Sequence, residues 1–151
     1  MPIRYVTVTP TVLNADAYDV GDVLFATTEI PLATGPLGQP CLLDSILILE
    51  GADQTAAIIT TFFFDSNVTF GAADAAPSIT DADAVSSLGQ YAMATANYVD
   101  VGASKLAYAP NLNIPIRSIA GTRSIYFSAI SAGTPTLATG SLVYRFGFKD
   151  L

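Results

Sequence analysis

Histidine and tryptophan are missing from this sequence, and Cys41 is its only cysteine. An intramolecular disulfide is therefore impossible, and so is a Cys/His zinc site. Without imidazole, neither a Ser-His-Asp nor a Cys-His couple can be assembled. Lysine occurs only at Lys105 and Lys149, and charged residues make up 13% of the 151 positions, about half the usual share. No apolar run approaches the length needed to span a membrane. The first residues, MPIRY, have no apolar core behind them, so no secretory signal is expected and synthesis in a cytoplasm is. Phosphate-cradling loops are missing too, since neither GxxxxGK nor GxGxxG occurs.

What is present is apolar and small. Hydrophobic residues account for 51% of the chain, which excludes disorder by low hydrophobicity. Ala, Thr and Ser supply 50 positions, a third of the total. A free monomer usually carries more surface charge, so the surface is either Thr/Ser-dressed β-structure or substantially covered by copies or a partner. The net charge of −7 is uneven: residues 1–104 carry −11 and residues 105–151 carry +4. Nucleic acid is not expected as a partner, because phosphate binding needs clustered Lys and Arg.

At 151 residues one domain is expected, with 1–9 as an extended N-terminal strand or arm. Short β-branched or aromatic runs alternate with turn residues at 4–9, 22–30, 41–50, 57–65, 90–99, 106–108, 112–119, 123–131 and 141–149. In the last run Leu142, Tyr144, Phe146 and Phe148 share one face, the core face, and Arg145 and Lys149 the other. In 41–50, Ile46 and Ile48 oppose Leu47 and Leu49, so both faces of that strand are apolar and it is central or covered by a second subunit. Segments 35–40 and 70–78 read as loops, and 51–54 as a turn. One short helix is expected near 81–88, with Thr80 as N-cap, Asp83 at N3, an apolar stripe through Val85 and Leu88, and Gly89 at C′. The sum is an all-β antiparallel fold, a β-sandwich or barrel, with eight or nine strands and that one helix.

Carboxylates are the remaining acid/base chemistry. Asp16 with Asp19, or Asp81 with Asp83, are the available pairs, but each falls in a segment read as exposed, where a solvated turn or cap acid is the simpler assignment. A calcium loop around Asp81 lacks the spread of oxygen ligands and the glycine. Seven tyrosines offer aromatic surface for a sugar, although most sit in strand patterns where sheet packing is the default. Cys41, flanked by Leu42 and Leu43, reads as a buried small hydrophobe. No catalytic, cofactor-binding or metal-binding residue is therefore assigned. Candidate interface residues are Ile3, Tyr5, Val6 and Val8 in an edge strand, with Leu47 and Leu49 in the strand that is apolar on both sides.

Certain strings point further. They are DVLF (22–25) with TEIP (28–31), LDSI (43–46), FDSNVTFG (64–71), APSITDA (76–82), GTPT (133–136) and LVYRFGFKD (142–150). Together they resemble the small capsid decoration, or cement, proteins of tailed bacteriophages, over residues 20–150. That resemblance implies a jelly-roll-like sandwich on the outside of an icosahedral head, as homotrimers that bridge subunits of the major capsid protein. It implies no catalytic residue, cofactor, small-molecule substrate or membrane. The alternatives are a phage tail-associated or receptor-binding module for host glycans, an acidic glycosidase, and a bacterial β-sandwich binding domain.

Overall fold

Alternation in the last strand organises the molecule. In the computed structural model, which describes residues 2–13, 17–51, 58–119 and 121–151, Leu142, Tyr144, Phe146 and Phe148 are all fully buried. Ten strands form among the described residues: β1 (Ile3–Val8), β2 (Val23–Ile30), β3 (Cys41–Glu50), β4 (Ile59–Phe64), β5 (Ser87–Met93), β6 (Tyr98–Asp100), β7 (Lys105–Ala109), β8 (Ile114–Ile116), β9 (Ile125–Ser131) and β10 (Leu142–Asp150). One sheet runs β1-β10-β3-β7-β6, with β8 continuing along β3 beyond β7; the other runs β2-β9-β4-β5. Every pairing is antiparallel. With β7 and β8 taken as one interrupted strand beside β3, and β6 as an added edge strand, the chain crosses between sheets at every link except β4–β5 and the β6–β7 hairpin. That is the jelly roll, two interleaved Greek keys closed face to face.

The core between the sheets is aromatic. Phe127 of β9 lies 5.1 Å from Phe25, 5.1 Å from Tyr144 and 5.0 Å from Phe146, each ring pair edge-to-face. This geometry sets the positive edge of one ring against the negative face of the next. Tyr144 keeps its hydroxyl within 3.3 Å of Thr61 Oγ1, so the buried phenol has a partner. Tyr18, outside any strand, is also fully buried; its hydroxyl accepts from the Leu13 amide at 2.8 Å and donates to the Leu24 carbonyl at 2.9 Å.

The four-stranded sheet has its outer face covered by the chain itself. Val23, Phe64, Val68 and Phe70 form a second buried cluster there, with Phe62, Ile79, Tyr126 and Ile130 packed against it. Non-strand backbone holds the cover in place. The Val23 amide donates to the Ala75 carbonyl and the Asp74 amide to the Val23 carbonyl, both at 2.9 Å. Residues 70–78 are thus a loop, as their composition implies, but a loop that seals a sheet.

Three expectations are corrected. The helix is only Asp81–Ala84: Thr80 caps it by accepting from the Asp83 amide at 3.1 Å, but Val85 is 83% exposed, so no apolar stripe packs. Leu88 and Gly89 belong instead to β5, where Ser87 and Gly89 pair with Phe64 and Phe63 of β4 and Leu88 forms a bulge between them. The run at 90–99 is two strands in different sheets, broken by a 3₁₀ turn at Thr95–Asn97. The strand expected at 112–119 is only Ile114–Ile116, set apart from β7 (Lys105–Ala109). Asn111 and Asn113 take positive φ, a conformation asparagine tolerates, and the Leu112 amide donates to the Asp44 carbonyl to carry the ladder across the gap. Most of the turn read at 51–54 lies outside the described residues.

Candidate interaction face

The outer face of the six-stranded sheet has no such cover among the described residues. Its rows follow from the register. Thr7, Arg145, Leu47 and Tyr108 stand side by side across four strands, and Val143, Leu49, Leu106 and Val99 form the next row. Tyr5, Gly147 and Ser45 make the row on the other side. Val99 is 61% exposed, Tyr5 56% and Tyr108 47%, while Leu47, Leu49, Leu106 and Val143 are half-buried among their neighbours.

Of the sequence-derived candidates, Ile3, Tyr5, Leu47 and Leu49 meet on this face. Val6 and Val8 do not join them. They point to the opposite side of β1 and pack against the core, because side chains alternate along a strand. Val143 and Arg145, which the alternation of 141–149 turned away from the core, complete the face with Leu106, Tyr108 and Val99, which sequence reasoning missed. The signal was the alternation in KLAYA, where Ala107 and Ala109 are buried and the larger Leu106 and Tyr108 turn outward. Small residues face inward there because the rings of β9 and β10 already fill the core.

Near the middle of the face is a shallow depression of about 280 Å³, lined by Tyr5, Ser45, Leu47, Leu106, Tyr108 and Arg145. Its floor depends on Gly147, where an added Cβ would collide with Ser45 Oγ and press on the Tyr5 ring at 3.2 Å. The Arg145 guanidinium sits 5.2 Å over the Tyr5 ring, a cation–π contact that holds an exposed charge in place. Among the described residues no carboxylate pairs with Arg145 or Lys149. The cations at the borders are paired: Arg4 with Asp150 at 2.9 Å and Lys105 with Asp100 at 3.0 Å. The Gly102 amide, then Lys105, hold the Asp100 carboxyl below its ordinary value.

The other candidates are dispersed. Asp81 and Asp83 flank the first turn of the short helix, Asp19 is exposed, and Asp16 lies outside the described residues. Among the described residues no three His, Cys, Asp or Glu side chains are grouped to hold a metal ion. Cys41 is fully buried and its thiol donates to the Ala33 carbonyl at 3.2 Å; burial pushes its pKa up to about 11. Of the tyrosines, Tyr18 and Tyr144 belong to the core, and Tyr5 and Tyr108 to the open face. No helix of the described residues is long and apolar enough to cross a membrane.

No family model matches the chain, and no curated protein matches its sequence. Among solved structures it is similar to that of infectious bursal disease virus Gx strain, at 14% identity and a TM-score of 0.41, over 99% of this chain and 32% of that one. A second is the infectious bursal disease virus VP2 subviral particle, at 17% identity and a TM-score of 0.33, over 97% of this chain and 40% of that one. The chain thus spans about a third to two fifths of the length of these structures.

Proposed function

We propose that this chain is a non-enzymatic virion structural protein. More specifically, it is a capsid decoration or cement protein that binds the outer capsid surface and stabilises the lattice of the major capsid protein. The observation that carries this reading is the contrast between the two sheet faces. One is sealed by residues of the chain itself, and the other presents Val99, Leu106, Tyr108, Leu47, Leu49, Val143, Tyr5 and Ile3. A contiguous apolar face with a polar border fits a protein–protein contact. The strings at 22–31, 64–82 and 142–150, which resemble decoration proteins, supply the direction.

The chain acts as a homotrimer in this reading. Contact between copies falls to the free edge of β1, a six-residue strand whose pairing with β10 runs without a bulge. Repetition around a trimer raises avidity where each single contact is weak. A second reading, a tail-associated module for host glycans, draws on Tyr5 and Tyr108 beside the depression. Incubating the purified protein with empty capsids and pelleting the particles tests the first reading. Co-sedimentation is expected with the wild type and a severalfold loss with Leu47→Asp. A protein that stays in the supernatant and instead binds host glycans favours the second.

A further inference from the structure

We infer that Arg145, seated on Tyr5, is the recognition point of the open face, and that it takes a carboxylate side chain presented from an apolar protein surface. This rests on the decoration reading and names the chemistry its partner must show. The chain carries −7 overall, yet Arg145 and Lys149 lie on this face without a carboxylate among the described residues, while Arg4 and Lys105 at its borders are paired. An arginine held over an aromatic ring keeps its outward N–H groups free for a planar acceptor. The depression beside it is lined by Leu47, Leu106 and Tyr108, so an acid arriving alone would leave apolar surface wet. An acid with an apolar neighbour satisfies both parts.

A second copy is the poorer occupant on two counts. Face-to-face pairing would set Arg145 and Lys149 of one copy against the same charges of the other. The area is also small. Five strands about 4.8 Å apart, each with about five residues at 3.4 Å, give roughly 400 Å². Two copies would bury about 800 Å², below the 1,200–2,000 Å² or so typical of stable pairs. A patch of that size suits a partner engaged many times over, as on a lattice.

The test needs no particle. Isotopically labelled protein is titrated with 3-phenylpropionate and, separately, with 3-phenylpropionamide, following the Arg145 side-chain N–H and the Tyr5 and Tyr108 rings by NMR. The acid is expected to shift these signals at millimolar concentration, with the amide at least tenfold weaker. Arg145→Gln should abolish the difference, and Lys149→Gln should preserve most of it. Equal response to acid and amide overturns the proposal, as does a shift centred elsewhere. So does sedimentation as a dimer that Leu47→Asp disperses, because a second copy then fills the face. Binding of a neutral oligosaccharide with no preference for the acid also overturns it. A chain that binds the acid but no capsid would remove the decoration reading and leave this site. A chain whose Arg145→Gln variant binds capsids as well as the wild type would do the reverse.

Discussion

Phe146 touches more of the aromatic core than any strand pattern reveals: Phe63, Phe127, Tyr144 and Phe148 all lie within 6.3 Å of its ring centre. Phe146→Ala should cost about 3–5 kcal/mol in chemical denaturation, because the sheets cannot collapse onto the space. Tyr18→Phe should cost about 1–2 kcal/mol, since it leaves the Leu13 amide and the Leu24 carbonyl short of a partner. Cys41 sets a pH dependence. Its buried thiol binds its proton more tightly in the folded state, so its contribution is complete below about pH 9 and is lost as pH rises toward about 11. Tyr144 and Tyr98 are shifted upward by burial as well, so the loss continues at higher pH. Thermal melts should be level near neutral pH and fall above 9, and Cys41→Ala should flatten the first part of that fall.

At the scale of elements, what was legible tracks how strictly a segment alternates. The β10 pattern gave its core face residue by residue, since four bulky apolar side chains occupy every second position from Leu142 to Phe148. The β7 segment carries equal alternation, but its polarity of size is inverted, with alanines inward. Only the neighbouring rings explain that, and they come from strands distant in sequence. The short helix was legible at its cap and illegible at its end, because the Thr80 hydroxyl is a local signal and the claim of β4 on Ser87 and Gly89 is not. The same logic separates two substitutions in β7. Tyr108→Ser should change stability by less than about 1 kcal/mol, whereas Ala107→Leu should overpack the core and cost about 1–3 kcal/mol. Melting the two variants side by side measures the contrast, and equal losses would mean that the inward and outward faces are misassigned.

For the molecule as a whole, the charge imbalance along the sequence becomes a difference between surfaces. Asp22, Glu29, Asp65, Asp74, Asp81 and Asp83 lie on or beside the four-stranded sheet and its cover, and Arg145 and Lys149, without a carboxylate partner among the described residues, lie on the open face of the other. The −11 and +4 segments interleave in the jelly roll, and only strand order reveals which acids leave this face free. The N-terminal residues, read as an extended strand or arm, form half of an outer ladder: β1 pairs with β10 along its whole length, and Val6 and Val8 reach the core. Deleting residues 1–9 would therefore strip a sheet edge as well as a contact, and Tyr5→Asp is the cleaner probe of association. The most direct measurement is a cryo-EM reconstruction of purified particles that carry this protein. Jelly-roll density on the outer capsid surface, with Leu47, Tyr108 and Arg145 turned toward the lattice, is the expected result. Particles without that density, or with this face turned to solvent, would contradict it.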